Sequence, residues 1–220
     1  MGDAAVAVQF EARIDAVINA RVIRLAELVQ SRRVAGVRDV VPTFRSVAVY
    51  FDPLRTRLDG LIEWLEEAAR GVDASLRSSG TLIQVPVCYG GDFGPDLPGV
   101  ARFAEMTPED VVEAHAGTLY QVFMLGFVPG FAYLGSVDPR IAAPRHSTPR
   151  VRVPAGSVGI AGAQTGVYPM ETPGGWQLIG RTPVKPFDLS RPEVCLFKAG
   201  DRVQFVPIVP SDFERMSRET

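Results

Sequence analysis

The chain has 220 residues, 46% hydrophobic and 22% charged, with a mean hydropathy of +0.11, enough for a proper core in one large domain or two small ones and too apolar for a disordered chain. A formal charge of −2 and an isoelectric point near 5.8 exclude a general attraction to nucleic acid or to an anionic membrane. Cys88 and Cys195 stand alone with no CxxC pair, which argues against a zinc site and a disulfide scaffold, and without a signal-peptide pattern the cytoplasm is the expected compartment.

Residues 5–10 (AVAVQF) suit a strand, and Ile14, Ile18, Val22, Leu25 and Val29 then recur at helical spacing, so a first helix is expected to run to about Arg33. Residues 37–41 and 46–51, with a turn around Pro42 between them, read as two adjacent strands, and Asp52-Pro53 ends the second. Leu58, Leu61, Ile62, Leu65 and Ala69 mark a second amphipathic helix, with Trp64 as a lid over the core. Residues 81–87 (TLIQVPV) are strand-like and suit either domain. The resulting order, βαββαβ, is the split βαβ plan of ferredoxin-like domains. It places an N-terminal domain at about residues 1–80.

Residues 89–96 (YGGDFGPD) form a turn-rich segment with two carboxylates. It lacks the further spaced oxygen ligands of a calcium loop, so a surface loop with Asx-turns is expected rather than a metal site. Thr107-Pro108-Glu109-Asp110 starts a helix well, with an N-cap, a proline at the first position and acids in the first turn. Two charge-free runs, 114–137 and 153–170, are long enough to cross a membrane. Glycines and prolines interrupt both, and neither has helical periodicity, so no span is expected.

From Gly126 to Gly180 the chain holds ten of its twenty-one glycines and seven of its eighteen prolines. Its aromatic and aliphatic residues are too many for a disordered linker, so tight turns joining short buried strands are expected, with loops converging on a pocket. Phe131, Tyr133, Tyr168 and Trp176, set beside Arg145, Arg150, Arg152, Gln164, Thr165, Glu171, Thr172, Gln177, Arg181 and Thr182, read as an apolar cleft with a few convergent polar groups. About half of those polar side chains are expected to tie loop carbonyls together instead. His115, just before the strand at 120–127, is open to two readings: a proton carrier in the pocket, or a helix C-terminal histidine favoured by the dipole. His146 reads as an exposed loop residue. Arg150 opens the strand leading into PAGSVGIAG, where its planar fork can grip a carboxylate as lysine cannot. Walker A, GxGxxG, HExxH and GxSxG patterns are all absent.

Taken in order, YGGDFGPDL, EAHAG, LGFVPGFAYLG, PRHSTPRVRVPAGSVGIAGAQTGVYP, TPGGWQLIGRTP and GDRVQFVPI resemble a carboxyltransferase-type family. Its members include the B component of 5-oxoprolinase, the kinase inhibitor KipI and allophanate hydrolase subunit 1. The resemblance covers nearly the whole chain, since VPTFRSVAVYFDP is similar to the family's N-terminal half. It implies an α+β protein with a small α/β N-terminal domain, which the element order above makes ferredoxin-like at about residues 1–80, and a cyclophilin-like β-barrel at about 81–212. It also implies two partners, a KipA-like C component and a LamB/YcsF-type A component, and the assembled complex hydrolyses 5-oxoproline to glutamate with ATP. A KipI-like inhibitor would instead contact a histidine kinase, and other members serve urea or allophanate metabolism. For the oxoprolinase role the expected catalytic set is His115, Arg150 and Gln164, with Phe131, Tyr133, Tyr168, Trp176 and Arg181 binding substrate and no metal. Arg150 and Arg181 are expected to take anionic groups, and ATP is used by the assembled complex rather than by a nucleotide loop of this chain.

Overall fold

The computed structural model describes residues 4–13, 15–72 and 80–219, and the chain divides into two units, Met1–Ser79 and Gly80–Thr220. In the first, strands β1 (Ala5–Gln9), β2 (Val37–Pro42) and β3 (Ser46–Phe51) alternate with helices α1 (Ala16–Arg32) and α2 (Leu58–Gly71). The strands form an antiparallel sheet in the order β1-β3-β2. Strand periodicity puts Val47, Val49 and Phe51 of the central strand on one buried face, while Tyr50 between them is exposed. Helix α1 starts at Asp15, whose carboxylate accepts from the Val17 and Ile18 amides at 2.8 and 3.1 Å. It buries Ile18, Val22, Leu25 and Val29, the predicted stripe; Ile14 lies outside the described residues. Trp64 of α2 packs partly buried against this core and carries the Arg32 guanidinium 4.5 Å above its ring.

The expected fourth strand of this unit is elsewhere. Residues 82–89 form β4 (Leu82–Tyr89), which pairs parallel with β12 (Arg202–Pro207) from Arg202 opposite Leu82 to Pro207 opposite Val87. Its other edge pairs with β11 (Gln177–Arg181) through Gly180–Tyr89 and Arg181–Cys88. With both edges occupied and Val85 and Val87 buried in the second unit, β4 completes a barrel. Among the described residues the N-terminal unit is therefore βαββα with three strands rather than the four of the ferredoxin-like plan.

The second unit continues with helices α3 (Leu97–Ala104) and α4 (Pro108–Ala116), strands β5 (Leu119–Leu125) and β6 (Ala132–Gly135), and a 3-10 helix at Pro139–Ile141. Strands β7 (Arg150–Val153), β8 (Ser157–Ala161), β9 (Gln164–Val167) and β10 (Thr172–Gly174) follow, and after β12 comes helix α5 (Pro210–Glu219). Seven strands close a barrel in the order β11-β4-β12-β5-β6-β9-β8, and β7 and β10 form a separate two-stranded ribbon. Closure removes the exposed edges that an open sheet would carry. Tyr120, Val122, Leu134, Val158, Ile160, Val203 and Phe205 belong to the barrel core. Helix α4 has the predicted start: Thr107 and Asp110 form a reciprocal capping box with Pro108 at the first position. Among the described residues no helix is long and apolar enough to cross a membrane.

Candidate functional site: an aromatic cleft on the barrel

Four of the expected substrate residues converge. The β5–β6 connection returns through Gly126 N–H to Phe131 O at 3.1 Å and Phe131 N–H to Val128 O at 3.1 Å, which delivers Phe131 and Tyr133 side by side. Tyr168 follows β9 and Trp176 precedes β11. Phe131 is the hub, with its ring centroid 4.9 Å from Tyr133, 5.4 Å from Tyr168 and 5.4 Å from Trp176, at interplanar angles of 66°, 76° and 84°. These edge-to-face pairs set positive ring edges against negative faces. Together with Phe127 and Arg145 they line a cleft of about 250 Å³.

Phe127 is 60% exposed and adopts φ +72, a left-handed conformation that a bulky side chain seldom takes. Its ring edge rests 5.6 Å from Phe131. The hydroxyl of Tyr168 tucks beneath the Pro173–Trp176 turn, where a Cβ on Gly174 would stand 2.5 Å from the phenol oxygen. Burial raises the Tyr168 pKa, opposed by a hydrogen bond from the Trp176 backbone and by the charges of Arg145 and Arg150. The phenol is therefore protonated at neutral pH.

The wall that carries Arg145 is clipped to the barrel at several points. His146 N–H donates to Gly175 O at 2.7 Å and Gln177 Nε2 to Pro144 O at 2.8 Å. Below them the Asp96 carboxylate receives Arg150 Nη2 at 2.6 Å, the Leu178 backbone N–H at 2.7 Å and His146 Nε2 at 3.2 Å. Burial alone would raise the Asp96 pKa, but the bonds from Arg150, Leu178 and His146 outweigh it and hold the group below the ordinary carboxylate value. The loop carboxylate expected to serve a local turn thus joins three distant segments.

The remaining expected site residues lie outside the cleft lining. Arg150 spends one guanidinium nitrogen on Asp96, and its Nη1 is buried with no protein partner. Arg181, at the far end of β11 from Trp176, donates Nε to Ala155 O at 2.8 Å. Gln164 begins β9, at the end away from Tyr168, with its Nε2 buried and without a protein partner. His115 is fully buried among barrel residues, stacked 4.6 Å from Phe205. Thr165 Oγ1 donates to Gly159 O at 2.9 Å, so it accepts from His115 Nε2 at 2.9 Å, and Tyr89 Oη donates to Nδ1 at 2.8 Å. Burial lowers the His115 pKa to about 3. At neutral pH this is an uncharged, saturated core histidine, neither in the cleft nor a cation serving a helix dipole.

Of the other lining side chains, Arg145 is among the polar residues expected beside the cleft, whereas Phe127 is not. Arg145 does carry a local signal, a cation between Pro144 and Pro149 in the glycine- and proline-rich stretch, whereas nothing in VPG announces the left-handed turn at Phe127. Among the described residues no acidic side chain lines the cleft, and no nucleophile is paired there with a base. Among the described residues no three His, Cys, Asp or Glu side chains gather as metal ligands. The arrangement offers an aromatic surface with one arginine at its edge.

The family model for the carboxyltransferase domain, subdomain C and D, matches residues 1–197. The chain is 40% identical to the B component of 5-oxoprolinase from Bacillus subtilis over 100% of its own length and 96% of that protein. It belongs to this family. Identity to the B component of 5-oxoprolinase from Escherichia coli is 41% over 94% of each chain. A conserved uncharacterized protein of known structure from Pyrococcus horikoshii superposes with a TM-score of 0.60 at 42% identity, over 97% of this chain and 98% of the other.

Proposed function

We propose that this chain is the B component of an ATP-dependent 5-oxoprolinase, a non-self-sufficient part of an enzyme that hydrolyses 5-oxoproline to L-glutamate. The observation that carries the reading is identity of 40% along the whole chain to a protein of that name. The geometry agrees in kind: the cleft offers binding surface and positive charge but no activated nucleophile. A lactam amide resists hydrolysis until its carbonyl is activated. Transfer of the ATP γ-phosphoryl group to the lactam oxygen, addition of water at that carbon, cleavage of the ring C–N bond and loss of phosphate together give glutamate, ADP and phosphate. With no Walker A loop here, ATP is handled in the assembled complex, and this chain's residues position the ring.

In this reading the seven-stranded barrel is cyclophilin-like and works beside a KipA-like C component and a LamB/YcsF-type A component. Co-expression of the three proteins is expected to release glutamate from 5-oxoproline with ATP, and omission of this chain to abolish that release. Equal turnover without it overturns the reading.

A further inference from the structure

We propose that the aromatic cleft is the seat of a small ring-shaped carboxylate, with Arg145 as the residue that grips the carboxylate; the inference rests on the reading of the chain as part of a 5-oxoprolinase. Size sets the first limit. At about 250 Å³ the cleft is smaller than the roughly 300 to 1,000 Å³ of pockets that take drug-sized ligands, so it suits a single small ring. Its walls are ring faces and edges of Phe131, Tyr133, Tyr168 and Trp176, which favour a flat, largely apolar body.

Charge sets the second limit. Arg145 is exposed at the cleft and makes no ion pair among the described residues, whereas Arg150 beyond Pro149 is compensated by Asp96. Among the described residues no carboxylate lines the cleft to compete. One uncompensated cation calls for one anionic group. The Arg145 guanidinium lies 5.7 Å from the Trp176 ring centroid, so the indole orients the planar fork while its N–H edge remains available for two oxygens. Pro144 and Pro149 restrict the backbone on either side, and the bonds to Gly175 and Gln177 fix it. That preorganisation lowers the ordering cost of binding.

The same features discriminate between substrate and product. A lactam with one carboxylate presents one charge and a compact ring. Open-chain glutamate brings a second carboxylate to a cleft whose lining carries one cation, Arg145, so the product is expected to leave.

The test uses the full chain with Trp64→Phe, which leaves Trp176 as the single reporter of its two tryptophans. Titration with 5-oxoproline is expected to change the Trp176 emission. Arg145→Ala should weaken binding at least tenfold with an unchanged melting temperature, since the side chain is exposed, and Arg145→Lys should fall between. The uncharged lactam 2-pyrrolidone and L-glutamate should each bind at least tenfold more weakly than 5-oxoproline, and 2-pyrrolidone equally to wild type and Arg145→Ala. If the free chain gives no signal, the KM of the assembled enzyme decides: Arg145→Ala should raise KM for 5-oxoproline at least tenfold and change kcat less. Unchanged affinity and KM in Arg145→Ala, or 2-pyrrolidone binding as tightly as 5-oxoproline, overturns the inference. An enzyme that needs this chain but ignores Arg145→Ala sinks only the inference, whereas one that works without the chain sinks the functional reading itself.

Discussion

His115 carries a histidine's chemistry without a histidine's usual role. Its two ring nitrogens are spent on Tyr89 and Thr165, 26 and 50 residues away, and burial holds its pKa near 3. An unfolded histidine titrates near 6.5, so the folded value is depressed. The stability tied to neutral His115 is therefore fully present above pH 6.5 and is lost as pH falls from there toward 3, at up to about 1.4 kcal/mol per pH unit. Urea unfolding at pH 7 and pH 5 should show this slope, and His115→Gln, which does not titrate, should flatten it while lowering stability at pH 7. An unaltered slope in that variant would assign the acid sensitivity to other groups. Sequence could place His115 in the last turn of a helix, as it does lie. It could not supply its distant hydrogen-bond partners, which seat the ring in the barrel core and outside the cleft lining. The aromatic residues were more legible because large apolar side chains in turn-rich sequence have to meet somewhere, and the structure gathers all four expected ones.

At the scale of elements, the cleft owes its shape to a carboxylate that does not line it. Asp96 lies just before α3 and accepts hydrogen bonds from β7, from β11 and from the segment between Pro144 and Arg150. Its side chain is 10% exposed and that of Arg150 33%, so the pair is screened less than a surface bridge but is not fully desolvated. Asp96→Asn keeps the shape and an acceptor for the Leu178 N–H but leaves Arg150 uncompensated. We expect a loss of about 1 to 3 kcal/mol, read by urea unfolding; unchanged stability would mean that the clip is ornamental. The same scale shows where sequence reading stops. The strand pattern of residues 81–87 was plain, yet its partner β12 lies some 120 residues later in the chain, as does Asp201, whose Oδ1 accepts the Thr81 N–H at 2.9 Å. Hydrophobic alternation reports which face of a strand is buried and says nothing of the sheet it joins. An ordinary local order, βαββαβ, thus concealed a strand belonging to the second unit.

Across the whole molecule, the apolar cores fall within the two units. Val22, Leu25, Val29, Val47, Val49, Phe51, Leu61 and Leu65 make one cluster, all before residue 80, while the barrel core and the cluster around Phe131 and Trp176 draw on residues from 83 onward. All seven barrel strands also come after residue 80, so no strand of either unit depends on the other for its pairing. We therefore expect a fragment of residues 80–220 to fold alone, with a single cooperative transition and the near-ultraviolet dichroism of a fixed Trp176. The position of the cut matters at the level of single bonds. The Arg202 N–H donates to Thr81 O at 2.9 Å, and Thr81 N–H donates to Asp201. A Cβ on Gly80 would stand 2.0 Å from Gly200 O, so the chain there lies against the turn leading into β12. A fragment starting at Leu82 loses both bonds at the β4–β12 seam and should melt several degrees below the one starting at Gly80, each lost hydrogen bond costing about 0.5 to 1.5 kcal/mol. Equal melting of the two fragments would show that residues 80 and 81 add nothing to the barrel, and failure of both to fold would show that the barrel requires the first unit.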